Sequence, residues 1–248
     1  MKKLDEKIYL YGKHALREAL MAKRVAVQKV FLDANAAADT EITKLLSTHG
    51  ITPSAMKDDG SGRKAVGEDA VHQGVIAVIN PSALHVTLDD MLEGLDMSTN
   101  PSIVLLDELH DPHNVGAIIR SAVAFGASAI LLPEHNQAPI TGTVIKTSAG
   151  MVFRIPIVSI GNVNQTMRTL KDRGFWSYGL VMEGDTSLPQ AVFDTPTLII
   201  VGNESTGIRQ KTLELCDIKL SIPMDPKCES LNASVATSVA LYEWFRAR

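Results

Sequence analysis

Residues 102–133 read SIVLLDELHDPHNVGAIIRSAVAFGASAILLP. An apolar run from Ile103 to Leu106 stops at Asp107 and Glu108, a helical stretch GAIIRSAVAFG follows, and SAILLP returns to apolar residues. Strands of near-continuous apolar character separated by a helix mean a parallel sheet covered on both faces. Asp111 and Pro112 make a natural helix start, an oxygen acceptor followed by a residue that needs no N–H. The alternation continues downstream: a helix around TGTVIKTSAG, strand IPIVSI, helix NVNQTMRTLKDRG, strands FWSYGLV and TLIIVG, helix IRQKTLELC, strand IKLSIPM and a long final helix LNASVATSVALYEWFRAR. No internal repeat interrupts it.

Upstream, HALREALMAKR has helical periodicity, VQKVFLD and QGVIAVIN read as strands, and ADTEITKLLSTHG is a second helix ended by Gly50. Residues 1–80 therefore form a small α/β domain with a βαβ-like rhythm. Between 81 and 100 the apolar pattern thins, with one short helix between Thr87 and Leu95, so the linker falls there and 101–248 is the second domain.

The chain has 248 residues, 45% of them hydrophobic and 21% charged, enough for one large core or two modest ones, which excludes a disordered tail or a disulfide-stapled miniprotein. Cys216 and Cys228 are too few for a disulfide framework and fit no zinc spacing; both read as reduced thiols. No stretch offers about 18 consecutive apolar residues and the N-terminus lacks a leader pattern, so a cytoplasmic protein is expected. The net charge of −4 opposes a nucleic-acid partner, yet residues 1–30 hold eight basic and three acidic residues, a local +5 that leaves −9 on the remainder. A solvated helix face explains that cluster as well as a phosphate-binding one does.

Several local patterns carry little chemistry. Gly60-Ser61-Gly62-Arg63-Lys64-Ala65 matches a permissive dinucleotide fingerprint but follows charged residues where a strand is required. The loop Asp107-Glu108-Leu109-His110-Asp111-Pro112-His113-Asn114 collects five potential metal ligands, although a polar turn at a strand end explains it equally, and no metal is expected. TLIIVG, by contrast, runs into Asn203-Glu204-Ser205-Thr206-Gly207, where Gly202 and Gly207 allow close backbone approach but leave the carboxylate between them unexplained. Ser230 reads as the N-cap of the final helix.

Three segments at strand ends then act together. Asn114-Val115-Gly116-Ala117-Ile118-Ile119-Arg120, Gly202-Asn203-Glu204-Ser205-Thr206-Gly207, and Ile222-Pro223-Met224 with Ser230-Leu231-Asn232-Ala233-Ser234-Val235-Ala236 resemble the three motifs of the SpoU (TrmH-type) branch of the SPOUT RNA methyltransferases. Tyr11-Gly12-Lys13-His14-Ala15-Leu16 and His72-Gln73-Gly74-Val75 resemble the N-terminal substrate-binding domain of its RlmB-like members, which methylate a guanosine 2′-hydroxyl of 23S ribosomal RNA. The resemblance implies an α/β fold whose parallel sheet ends in a deep C-terminal trefoil knot, an arrangement that topology rules would not have produced. It implies S-adenosylmethionine as methyl donor, held by Gly202, Ile222, Met224 and Leu231. It also implies a homodimer with each active site completed across the subunit interface. Leu231, Val235, Val239, Tyr242 and Phe245 supply an apolar helix face for core or dimer packing.

Methyl transfer to a ribose oxygen requires that the oxygen be positioned and its developing charge stabilised. Arg120 suits that role as a permanent cation, since a guanidinium does not give up its proton in a protein. Asn114, Glu204, Ser230 and Asn232 are carried over as the polar shell around it, with an ion pair that shapes the loop as the structural alternative for Glu204. Six helical residues put Asn114 and Arg120 about 240° apart, so one regular helix cannot aim both into one pocket. Either Asn114 precedes the helix or the two serve different places. Lys13, Arg17 and Arg24 are the expected phosphate contacts. The rival readings are a transfer-RNA methyltransferase, a non-catalytic ribosome-assembly protein, and a metal-dependent hydrolase built on His110 and His113.

Overall fold

The computed structural model describes residues 7–22, 27–56 and 72–248. The fingerprint at Gly60 to Ala65 and the candidate Arg24 lie outside them. The chain divides into two compact units, Met1–His85 with Ile140–Arg154, and Val86–Pro139 with Ile155–Arg248.

In the first unit a four-stranded sheet has the order β1-β4-β2-β3, with β1 at Ile8–Tyr11, β2 at Val27–Leu32, β3 at Ser54–Ala55 and β4 at Val75–Ile79. The expected βαβ rhythm is replaced by a mixed sheet. β1 and β2 both pair antiparallel with β4, and only β2 and β3 run parallel. The entirely apolar β4, VIAVI, is buried at every residue and takes the inner position, where both faces are covered. The helix Thr40–Thr48 begins at Asp39, whose carboxylate accepts the N–H groups of Glu41 and Ile42. Glu18, on the helix Lys13–Met21, is buried, and Arg154 satisfies it through Nε at 2.5 Å and Nη2 at 3.1 Å. A buried carboxylate left unpaired is costly, so this two-bond contact fixes residues 140–154 to the first unit.

The second unit is built on an eight-stranded sheet in the order β10-β12-β9-β11-β6-β7-β8-β5. Its strands are β5 (His85–Val86), β6 (Ser102–Asp107), β7 (Ala129–Pro133), β8 (Ile157–Ile160), β9 (Trp176–Val181), β10 (Thr186–Ser187), β11 (Thr197–Gly202) and β12 (Ile218–Ser221). Every pairing from β10 through β8 is parallel. β6 and β11 are neighbours, buried at all positions, with Gly202 in register with Asp107. Ile103, Leu105, Leu198 and Ile200 pack against Val163, Met167 and Leu170 of the helix Val163–Asp172. Strand alternation sends Val104, Leu106, Ile199 and Val201 to the opposite face. The helices Pro112–Ala124 and Ala233–Arg246 pack on each other, and Trp244 joins Tyr178, Phe193 and Leu220 in a second cluster.

The helix expected over IRQKTLELC shrinks to one turn, Gln210–Leu213, which starts directly after Arg209, a residue bound to the end of β6. Both cysteines are free thiols; burial, then the neighbouring Asp217, pushes Cys216 up to about 12, which keeps it protonated and unreactive. Among the described residues no helix is long and apolar enough to cross a membrane.

Candidate active site

β6 and β11 end side by side, and β12 ends one strand beyond β9, so three loops leave the same edge of the parallel sheet. Ligands of open α/β sheets bind at this carboxyl edge. Asp111 caps the helix Pro112–Ala124 by accepting the His113 N–H at 2.8 Å, as its sequence predicts, which places Asn114 in the first turn, 7% exposed.

Asn114 is the centre of a one-way hydrogen-bond relay. Asn232, rather than the expected Ser230, caps the final helix: its Oδ1 accepts the N–H groups of Ser234 at 2.9 Å and Val235 at 3.4 Å. With its oxygen committed, Asn232 must donate through Nδ2, and it does so to Asn114 Oδ1 at 2.9 Å. Asn114 in turn donates through Nδ2 to Glu204 Oε1 at 2.7 Å. One residue from each of the three motif segments is thereby locked to the next, and the relay ends on an exposed carboxylate. Ser230 is exposed and stands outside this relay.

The loop that carries Glu204 closes on itself. Asn203 and Gly207 exchange both backbone bonds, at 3.0 and 2.9 Å, while Asn203 Oδ1 accepts from Ser205 N and Thr206 N. Asn203 Nδ2 ties the loop to the Glu108 carbonyl at 2.8 Å. At Gly202 a Cβ would stand 2.1 Å from Ile208 N and 2.2 Å from Gly207 C, so no side chain fits there. Below the loop, fully buried Asp107 accepts from Arg209 Nε at 2.9 Å and Nη2 at 2.6 Å, and Glu108 meets Arg209 Nη1 at 3.1 Å. Asp107 and Glu108 are therefore committed to Arg209, and Asp111 to capping. Among the described residues no three such side chains converge.

Arg209 was missing from the sequence reading. Its signal lies in the register of Gly202 beside Asp107, since a buried aspartate at a strand end requires a cation.

Residues 101–242 match the SpoU rRNA methylase family, and residues 9–84 match the family described as RNA 2′-O ribose methyltransferase substrate binding. The chain belongs to the SpoU rRNA methylase family. A SpoU relative from Nitrosomonas europaea, 23S rRNA (guanosine-2′-O-)-methyltransferase RlmB, is 34% identical over 96% of this chain and 91% of its own. An uncharacterized tRNA/rRNA methyltransferase from Synechocystis is 35% identical over 96% of this chain, which spans 62% of that longer protein. The solved SpoU methyltransferase AviRb from Streptomyces viridochromogenes, in complex with AdoMet, superposes with a TM-score of 0.85 at 27% identity, covering 97% of this chain and 89% of the other.

Within this SpoU domain Arg120 and Asn114 lie on one helix, so the two serve different places. Asn114 faces inward, whereas Arg120 is exposed and makes no hydrogen bond or ion pair among the described residues. The next residue, Ser121, meets Ser238 of the final helix at 2.7 Å. On that helix Thr237, Ala240, Leu241 and Trp244 form the buried face. Val235, Val239, Tyr242 and Phe245 are exposed at 47%, 37%, 51% and 51%, so the face expected to serve core or dimer packing is not used in the core. Phe125 extends it, with ring centroids 5.8 Å from Tyr242 and 6.0 Å from Phe245.

Gly202 is buried, and Ile222, Met224 and Leu231 are half-buried. The edge they line is bounded by main chain that admits no Cβ at Gly202, together with partly exposed apolar side chains. Such walls fit a flat heterocycle recognised through backbone amides.

Proposed function

We propose that this chain is an S-adenosylmethionine-dependent RNA (ribose-2′-O)-methyltransferase acting on a guanosine of 23S ribosomal RNA. The observation that carries the reading is the Asn232–Asn114–Glu204 relay, which welds the three motif segments into one site. Matches to both the methylase and the substrate-binding families, and a full-length relative named for this reaction, support it.

Gly202, Ile222, Met224 and Leu231 are assigned to the cofactor, which supplies an electrophilic methyl group on a sulfonium. The remaining work falls to the chain's own residues. Glu204, Asn114 and Asn232 orient the ribose, with Ser230 at the rim. Arg120 stabilises the 2′-oxyanion and anchors the adjacent phosphate, while the proton leaves to a neighbouring group or water. Since Arg120 points away from its own relay, the site is completed by Arg120 of a second copy. The exposed Val235, Val239, Tyr242 and Phe245 face beside it is assigned to a homodimer interface, where burial of roughly 25 cal/mol per Å² rewards association. The return of the chain from β12 to the helix Pro112–Ala124 is consistent with the threaded loop of a trefoil knot.

Residues 1–80 are assigned to RNA binding and 101–248 to catalysis, a reaction that belongs in the cytoplasm; the 81–100 connection between them lends Met91 and Leu92 to the core of the second unit. Lys13 and Arg17, with Arg24, are the assigned phosphate contacts. Lys13 pairs with Asp39 and Arg17 with Glu41, each at 2.8 Å on the surface. Exposed pairs of this kind contribute little to stability, so a phosphate displaces the carboxylate at little cost. Neutralising Lys13, Arg17 and Arg24 together is expected to weaken rRNA binding and flatten its salt dependence, with cofactor affinity unchanged; equal RNA affinity removes the assignment.

Mass-spectrometric mapping of 2′-O-methyl nucleotides in ribosomal and transfer RNA, from cells with and without the protein, tests the function. Loss of one 23S guanosine methylation is expected. Loss from transfer RNA alone reassigns the substrate, and no loss in either pool overturns the catalytic reading in favour of an assembly role.

A further inference from the structure

A cavity of about 410 Å³ opens at the carboxyl ends of β6, β7 and β8. His135, Asn136, Asn162, Asn164, Arg209 and Lys211 line it. Apart from the pairing of Arg209 with Asp107 and Glu108, none of these residues has a part in the roles assigned above. We infer that this cavity is a second RNA subsite, which takes a nucleotide flanking the methylated one.

The chemistry of the walls selects the ligand. Arg209 is held by Asp107 and Glu108, at 2.6 to 3.1 Å for its side-chain bonds, so its planar guanidinium is fixed in position where it lines the cavity. Unstacked RNA bases rest on such planes and on imidazole rings like that of His135. Lys211 has no carboxylate partner among the described residues and supplies an uncompensated charge for a phosphate. The amides provide base-edge or 2′-hydroxyl contacts. Asn162 commits only Oδ1, to Gln165 N at 3.0 Å, and Asn164 commits only Oδ1, to Thr212 Oγ1 at 3.3 Å, so each keeps an NH₂ donor. Asn136 donates toward Glu108 Oε1 at 3.4 Å and keeps its Oδ1 as an acceptor.

The volume lies in the range of small-ligand sites. His135, Asn136, Asn162, Arg209 and Lys211 are all exposed at the rim, so a polymer can enter and leave, whereas a free metabolite would be better held in an enclosed pocket.

The cavity is also coupled to the candidate active site. Glu108 forms part of its wall and accepts the Asn203 Nδ2 bond that fixes the Glu204 loop, and Arg209 follows Gly207 by two residues. A nucleotide seated against Arg209 therefore lies next to the loop that orients the target ribose. This inference rests on the RNA methyltransferase reading for its choice of ligand, but binding judges it separately from methyl transfer.

The test uses the full-length protein and unmodified 23S rRNA transcript. Filter binding is followed between about 50 and 200 mM salt, alongside steady-state methylation and calorimetric S-adenosylmethionine binding. The double variant Lys211→Glu/His135→Ala is expected to raise the RNA Kd and KM about tenfold, and Lys211→Ala alone to lower the salt slope by about 1. Both changes are on the exposed rim, so a thermal melt matching the native protein is expected, as are kcat and cofactor affinity within about twofold of native. Unchanged RNA affinity and salt slope in the double variant overturn the subsite while leaving the reaction in place. A native protein that binds the transcript but transfers no methyl group overturns the reaction instead, and the variants' Kd then decides the subsite by itself.

Discussion

Arg120→Ala is expected to lower kcat for RNA methylation by about 10²–10³-fold, the usual cost of removing one preorganised donor from a developing oxyanion. S-adenosylmethionine affinity should remain native, because Arg120 is exposed and is not among the residues assigned to the cofactor. Arg120→Lys keeps the charge but loses the planar fork, so its rate should fall between the two. A lysine variant with full turnover would remove the specific role of the guanidinium. The position of Arg120 also sets a complementation test. Asn114→Ala is expected to be impaired through Glu204, and a mixed dimer of Asn114→Ala with Arg120→Ala chains contains one site with both native residues. Recovered activity on mixing, measured by methyl incorporation, is expected; no recovery would place Arg120 and the relay in the same chain's site or in no common site.

The second large effect is at Gly202. Its Cβ position lies 2.1 Å from Ile208 N, 2.2 Å from Gly207 C and 2.5 Å from Gly207 O, all of them backbone atoms that cannot rotate away. Gly202→Ala must therefore open the Asn203–Gly207 bridge, which moves Glu204 off Asn114. Overpacking of this kind costs about 1–3 kcal/mol, and for a chain of this size each kcal/mol lowers Tm by roughly 2–4 °C. Cofactor binding should fall by about two orders of magnitude or more, since one of its assigned walls is lost and about 2.7 kcal/mol corresponds to a hundredfold. Gly207→Ala is the informative comparison. It meets open space and carries only the strain of φ +70°, so its effect on calorimetric cofactor binding should be clearly smaller. Equal losses at the two glycines would show that the loop needs general flexibility rather than the close approach at Gly202.

The parallel sheet was legible wherever a strand is apolar throughout. Ser102–Asp107 and Thr197–Gly202 are buried at every residue because they are central, and burial on both faces is what a continuous apolar run encodes. The Asp111–Pro112 helix start was legible for a local reason, as capping chemistry acts over three residues. The mixed first sheet was not, because pairing direction is a property of partners distant in sequence: Val27–Leu32 chooses Val75–Ile79 across some forty residues. The final helix begins at Asn232 rather than Ser230 for a similar reason. Both are good caps in isolation, and the bond from Asn232 to Asn114 decides between them. Of the site, the residue types at 114, 204 and 232 were legible, but their order of donation was not. Asp107 with Arg209 could not be paired without the register of β6 against β11.

Two amides connect the start of the final helix to the Glu204 carboxylate. Neither titrates, and neither carries a net charge for dissolved ions to screen. Movement at the start of the final helix is therefore passed to Asn114 as geometry alone, with a direction set by which atom donates. The link between the three segments thus has a single ionisable member, the Glu204 carboxylate at its end, and the amide step before it is set by shape rather than by charge.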